Sequence, residues 1–277
     1  MLELDRNSIN SDEARDLERV GYALANAAGE AILPYFRGSD LDTVSKEIER
    51  YDPVTNADRA AERAMRNVLT TLRPQDGVLG EEFGTLASES GLTWVLDPID
   101  GTRGFVSGTP TWGTLIALSD EQGPFFGIID QSYIKERFVG GLGQAFASGP
   151  LGQRALNTAQ NHSLSNATLF TTFPEVGSRQ DFLGFRAVAE KVKLVRYGMD
   201  CYAYALLAAG QIDLVIEAGL SAYDIQAPIA VIEAAGGVVT DWRGESAHHG
   251  GQCVAAANDA LLNEVLPLLK PFSEPAK

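Results

Sequence analysis

Cysteine is scarce in this chain. Cys201 and Cys253 are the only two in 277 residues, so neither a disulfide framework nor a zinc spacing is available, and a reducing cytoplasm fits. Histidine is nearly as scarce: His162, His248 and His249 have no ligand partner at helical spacing and read as solvated loop residues. Basic residues are in deficit, with 22 Lys+Arg against 37 Asp+Glu and a formal net charge of -15. That argues against nucleic-acid and acidic-membrane partners, which need a basic surface. No apolar run reaches the length of a membrane span. The stretch Met1-Leu2-Glu3-Leu4-Asp5-Arg6 is acidic and lacks the basic-then-apolar plan of a signal peptide. Internal repeats and low-complexity blocks are missing as well. What remains is a 45% hydrophobic, 21% charged composition, long enough for one large domain or two small ones. An acidic chain that binds an anion needs a cation between them, and a divalent metal is the obvious candidate.

The stretch that best answers that need is Trp94-Val95-Leu96-Asp97-Pro98-Ile99-Asp100-Gly101-Thr102-Arg103-Gly104-Phe105. Trp94, Val95 and Leu96 form the apolar run of a buried strand. The strand is expected to turn sharply after Leu96, at Asp97 and Asp100, with Pro98 keeping Asp97 extended and Gly101 letting backbone approach a ligand. Carboxylates converging without Cys or His suit Mg²⁺. Thr102 offers a hydroxyl, and backbone N–H groups from Gly101 onward are placed to meet a phosphate. Taken alone, the stretch reads equally well as a polar turn with two solvated Asp residues.

Elsewhere helices and strands alternate, which points to layered α/β or α+β packing. Asn10-Ser11-Asp12-Glu13 opens a helix whose apolar face runs on towards Gly38. Thr55 or Asn56 caps a second helix ending before Pro74, and Asp58 reads as an acid of its first turn. Gly77-Val78-Leu79-Gly80 is a short strand ending in Glu81-Glu82. Strands are expected over Thr114–Leu118, Phe125–Ile129 and Arg137–Gly141. Gly149-Pro150-Leu151-Gly152 is the best domain boundary, dividing residues 1–150 from 151–277, or else a hairpin. The second half alternates strands near 167–172, 192–197, 212–217 and 238–241 with helices near 180–193, 200–210, 223–235 and 260–269. Pro228 is expected in the first turn of its helix, where proline is tolerated. Trp94, Trp112 and Trp242 read as core aromatics, and Cys201 as a packed thiol.

Four separated pieces now stand in order: Asp52-Pro53-Val54-Thr55, Gly80-Glu81-Glu82, Asp97-Pro98-Ile99-Asp100-Gly101-Thr102, and Tyr223-Asp224 followed by Ala234-Ala235-Gly236-Gly237. Together they resemble the inositol-monophosphatase superfamily of Mg²⁺-dependent phosphatases, from about Asp12 to Leu269. The resemblance implies an α+β fold, a layered αβαβα sandwich. The two halves would form one structural unit, the first carrying most metal ligands and the second Asp224 and the substrate contacts, in a protein that is usually a homodimer. Carried over by position, Glu81, Asp97 and the carbonyl of Ile99 correspond to ligands of a first Mg²⁺. Asp97, Asp100 and Asp224 correspond to those of a second, and Glu81 also to a weaker third. Asp52 and Thr102 resemble the pair that orients and deprotonates the attacking water. Glu82 is read as a surface residue or one supporting the ligands. The resemblance implies a role near phosphate for Lys46, but Glu47-Ile48-Glu49-Arg50-Tyr51 depart from the smaller residues usual before Asp52 and tell against it.

Within the superfamily, Gly104-Phe105, Gly113 to Leu118, Ile128-Ile129-Asp130-Gln131 and Tyr197-Gly198-Met199-Asp200-Cys201-Tyr202-Ala203-Tyr204 look closest to histidinol-phosphate phosphatases. Gly101, Thr102, Arg103, Arg196, Asp200 and Glu217 are the substrate-binding candidates. Glu217 or Asp200 would suit the ammonium group of L-histidinol phosphate, although an inositol hydroxyl could also donate to Glu217. The expectation is a cytoplasmic phosphomonoesterase of histidine synthesis acting on a small phosphomonoester. Its rivals are inositol 1-phosphate or the 3′-phosphate of adenosine bisphosphate as substrate, and a non-catalytic metal- or phosphate-sensing protein. A phospho-aspartate mechanism stands far behind, because its signature Asp residues lie two apart and Asp97 and Asp100 lie three apart.

Overall fold

A computed structural model describes residues 6, 9–39, 42–45, 53–173, 175 and 177–275. Asp52 and Lys46 lie outside the described residues. The first half comprises α1 (Ser11–Ile32), β1 (Thr43–Ser45), β2 (Pro53–Thr55), α2 (Asn56–Leu72), β3 (Gly77–Gly80), β4 (Gly84–Leu86), β5 (Thr93–Asp100), α3 (Thr102–Val106), β6 (Gly113–Asp120), β7 (Gly123–Gln131), β8 (Glu136–Gly141), β9 (Gln144–Gly149) and β10 (Gly152–Ala155). The second comprises β11 (Thr168–Thr171), α4 (Arg179–Ala189), β12 (Leu194–Tyr197), α5 (Cys201–Ala208), β13 (Leu214–Leu220), α6 (Ala222–Ala234), β14 (Val238–Thr240), β15 (Gly251–Ala256) and α7 (Asp259–Leu269). An eight-stranded sheet runs β10-β9-β8-β7-β6-β5-β3-β4, and a five-stranded sheet runs β12-β11-β13-β15-β14.

The layer order follows from which residues face which way. Along β5, Trp94 and Leu96 point to one side and Val95 to the other, as the two-residue period of a strand requires. Trp94 and Leu96, with Ile116 and Ile128, pack under Leu17 and Leu24 of α1 and Ala61 and Met65 of α2. Val95, Leu115 and Ile129 meet α5 and α6, whose Ala205, Ile225 and Val231 also touch Val215 and Ala255 of the smaller sheet. The far face of that sheet, Leu169, Ile216 and Val254, is covered by Phe185 and Val188 of α4 and Leu261 and Val265 of α7. The result is the expected αβαβα sandwich. Helix α6 lies between two sheets and is buried continuously from Ile225 to Ile232; a stretch with no solvent face has no reason to be amphipathic.

Local chemistry sets the element ends. Asn10 accepts from the N–H groups of Asp12 and Glu13, and Thr55 with Asp58 forms a reciprocal capping box at the start of α2. Several expectations need correction. Helix α1 stops at Ile32 and residues 33–37 form turns; Pro34, with no N–H to donate, sits just past the end. Pro228 is the seventh residue of α6, not part of its first turn, so the helix forgoes the N–H that would bond to the carbonyl of Asp224. At Gly149 to Gly152 the hairpin reading holds: Gly149 and Gly152 pair, and β10 extends the large sheet past residue 150. Strands β4, β9, β10 and β15 carry short or Gly- and Ala-rich sequences that gave no clear strand pattern. All three tryptophans are buried, and Trp94 donates to Asp76 at 2.9 Å. Among the described residues no helix is long and apolar enough to cross a membrane.

Candidate active site

Residues three apart on a regular strand face opposite sides, which would separate Asp97 from Asp100. In β5 Asp97 pairs with Leu115 and Asp100 with Gly113, so three steps along β5 match two along β6. This extra residue is a β-bulge, and it brings both aspartates to one side. The strand therefore does not end after Leu96; it continues to Asp100 with an irregularity inside it. Pro98 sits in the bulge, where a residue without an N–H is tolerated, and its carbonyl accepts from Thr114 Oγ1 at 2.8 Å. Asp224 arrives from the first turn of α6, held by the N–H of Ser221 at 2.7 Å. One oxygen each from Asp97, Asp100 and Asp224 lie within 4.8 Å of one another.

Like charges this close are costly. Asp97 is 2% exposed, and its Oδ1 is buried without a hydrogen-bond partner. Burial first, then the charges of Glu81, Asp100 and Asp224, hold its carboxyl well above the usual range. Asp100 is raised in the same way, by burial and then by Asp200 and Asp224, although the Cys201 N–H donates to it at 2.6 Å. Full ionisation of such a group calls for a counter-cation. An all-oxygen donor set with an unpartnered buried oxygen fits a hard divalent ion. Glu81 follows β3, its N–H bonded to the Leu96 carbonyl at 3.2 Å and its carboxyl in hydrogen-bond reach of Asp97. The Ile99 carbonyl accepts from Thr102 Oγ1 at 3.0 Å.

These groups line a cavity of about 220 Å³. Residues between Glu81 and Arg103 form one wall, and residues between Thr172 and Asp224 form the other. Gly101 has φ +83°, and a Cβ there would lie 2.8 Å from the Cβ of Asp200, so both backbone and space require glycine. Asp200 is itself at φ +46°, a conformation rarely adopted by a residue with a side chain. Burial raises its carboxyl, opposed by a hydrogen bond from Thr111 and by the Arg103 charge. Glu217 lies on a second bulged strand, where β13 takes three steps from Glu217 to Leu220 against two on β15. Its Oε1 accepts from the Thr172 N–H at 2.9 Å and from Thr172 Oγ1 at 2.8 Å. Burial nevertheless pushes Glu217 up to about 7. Arg103 lies over the Phe173 ring at 5.3 Å, and α3 is fixed from behind by Phe105 packing edge-on against Trp112 at 5.1 Å.

The cavity thus gathers Glu81, Asp97, Ile99, Asp100, Gly101, Thr102, Arg103, Asp200, Glu217 and Asp224. Arg196 is not among its lining residues; it is exposed on the edge strand β12. Asp52 falls outside the described residues. Glu82 is no surface residue, since its side chain is 3% exposed and lies 3.5 Å from Arg59. Cys201 is a buried thiol held high by burial and by Asp100, unsuited to nucleophilic attack. Sequence reasoning missed Thr172, Phe173 and the buried phenol of Tyr204, which also line the cavity. It also missed Glu62 beneath Glu81. Only Glu62 left a signal: with Asp58 it falls on the buried face of α2 beside Ala57, Ala61, Met65 and Leu69, and a buried acid asks for a partner.

Comparison with known proteins shows the family and the fold. The model of the inositol monophosphatase family matches residues 13–271. A bifunctional phosphatase IMPL2, chloroplastic, of Arabidopsis thaliana is 44% identical, over 86% of this chain and 68% of that protein. A histidinol-phosphatase of Mycobacterium tuberculosis is 37% identical, over 89% of this chain and 95% of that one. Among solved structures, an inositol monophosphatase from Zymomonas mobilis superposes with a TM-score of 0.81 at 34% identity, covering 95% of this chain and all of its own.

Proposed function

The chain belongs to the inositol monophosphatase family of metal-dependent phosphomonoesterases, and we propose that it uses Mg²⁺ to hydrolyse L-histidinol phosphate to L-histidinol and phosphate. Asp97, Asp100, Asp224, Glu81 and the Ile99 carbonyl would hold two or three Mg²⁺ ions. Bound there, the ions supply Lewis acidity to the phosphate and lower the pKa of water. The remaining work belongs to the protein. Thr102 donates its hydroxyl proton to Ile99, which leaves the oxygen able to accept from the attacking water, with Asp52 as the base. The N–H groups that open α3 receive no side-chain cap and suit phosphate oxygens, while Arg103 adds positive charge beside them.

The observation that carries the choice of substrate is Glu217. One of its oxygens is tied to Thr172, it is 7% exposed, and Asp200 lies on the same cavity. Two carboxylates on the organic side of a phosphate site suit a cationic alcohol, whose ammonium replaces the proton that burial otherwise favours. Relatives named histidinol-phosphatase support the same reading. Inositol 1-phosphate is the second reading, favoured by the likeness to the Zymomonas enzyme, since a ring hydroxyl can also donate to Glu217. Phosphate release from histidinol phosphate, inositol 1-phosphate and adenosine 3′,5′-bisphosphate, with and without Mg²⁺, separates them. Histidinol phosphate should have the highest kcat/KM; a higher value for either competitor overturns the assignment. The reading also takes the two halves, 1–150 and 151–277, as the two walls of one unit, in a cytoplasmic homodimer whose mass light scattering would measure.

A further inference from the structure

Beneath Glu81 lies a carboxylate that the proposed chemistry does not use. Glu62 of α2 is fully buried, and both of its oxygens face the backbone that follows β3. Oε2 accepts the N–H of Glu82 at 2.7 Å, and Oε1 accepts the N–H of Phe83 at 3.2 Å and Arg66 Nε at 2.8 Å. Arg66 reaches past the carboxylate to donate to the Gly84 carbonyl. One helix turn therefore grips residues 82–84 by donors and acceptors alike. Gly80 makes the approach possible, because a Cβ there would stand 2.0 Å from Glu62 Oε1. On its other side the Glu81 N–H is pinned to β5 through the Leu96 carbonyl at 3.2 Å. Glu81 is held between two anchors, one on the strand of Asp97 and one on α2.

We infer that Glu62 is a positioning residue for Glu81, setting the direction from which the Glu81 carboxylate meets the cation held with Asp97. The inference rests on Glu81 as a cation ligand. A buried carboxylate that accepts two N–H groups and a guanidinium is satisfied as an anion. An amide in its place turns one oxygen into a donor facing a donor, which frees the turn. Loss of such outer support lowers metal affinity while leaving every ligand present.

The test titrates Mg²⁺ alone into the metal-stripped enzyme by calorimetry, beside kcat at saturating Mg²⁺ and the melting temperature of the metal-free protein. Glu62→Gln should weaken Mg²⁺ binding by about 10–100-fold, with kcat recovering towards the wild-type value once Mg²⁺ saturates. Arg66→Gln, at a partly exposed position, should shift the affinity the same way by less, and carries the test if Glu62→Gln does not fold. Added to Glu81→Gln, Glu62→Gln should weaken binding no further, since both act through one ligand. Wild-type Mg²⁺ affinity in Glu62→Gln and Arg66→Gln, with a lowered melting temperature and a weakened Glu81→Gln, would reduce Glu62 to a structural residue and overturn the inference alone. Wild-type affinity in Glu81→Gln would remove the ligand assignment, and this inference with it.

Discussion

Strands β5 and β13 reach the cavity from different sheets, and each carries one extra residue where it does so. The outcomes differ. In β5 the bulge turns two like-charged side chains to the same side and leaves Asp97 Oδ1 buried without a partner. In β13 it accompanies a single carboxylate, Glu217, with one oxygen already tied down by Thr172. An unrelieved cluster of acids suits a divalent cation, whereas a tethered acid facing a cavity suits one polar or cationic group of a substrate. On the proposed function the two bulges divide the labour: the acids gathered with Asp97, Asp224 among them, would serve any phosphomonoester, and Glu217 would choose among them.

The deepest cut into that division is Asp97→Asn. It should lower kcat by about 10³-fold or more on every phosphomonoester alike, with circular dichroism unchanged, because a carboxylate that would hold the cation is lost. Glu217→Gln should act on one substrate. Its kcat/KM for histidinol phosphate should fall about 10–100-fold, the worth of a charged hydrogen bond, with far less change on β-glycerophosphate. Equal losses on both substrates would erase the distinction between the walls. Gly101→Ala places a Cβ at a positive φ against Asp200 and should cost about 1–3 kcal/mol in urea unfolding.

The smallest effect is one of pH. Because the folded-state pKa of Glu217 is raised from 4.5 to about 7 by burial, its contribution to stability is complete below the unfolded value and is lost as pH rises through about 7. The metal-free protein should melt at lower temperature at about pH 8 than at about pH 5. Glu217→Gln, which has no proton to lose, should show a shallower decline in thermal scans.

Much of the β5 wall can be read from residue order, and its decisive feature cannot. The Asp-Pro-x-Asp-Gly-Thr run advertises oxygen ligands, but a spacing of three on a strand would send them apart. Only the register against β6 shows the step that reunites them. Residue order alone suggests a sharp turn for that purpose, and the strand supplies a bulge instead. Cap chemistry at Asn10 and Thr55 was legible because it is local. The β13 wall was harder: Thr172 meets Glu217 across 45 residues, and nothing in either neighbourhood announces the pair. Arg196 lies exposed on the edge strand β12, outside the cavity lining, and that placement too depends on strand order rather than on its neighbours in sequence. The layer order came from the family resemblance. Periodicity could not have given it, because α5 and α6 are apolar on nearly every side.

Everything proposed for this protein requires the acidic cluster to hold divalent ions for the hydrolysis. The direct measurement strips the enzyme with a chelator and follows phosphate release from L-histidinol phosphate as Mg²⁺ is titrated back. Release should be absent without metal and return saturably with Mg²⁺. Undiminished release from the stripped enzyme would contradict it.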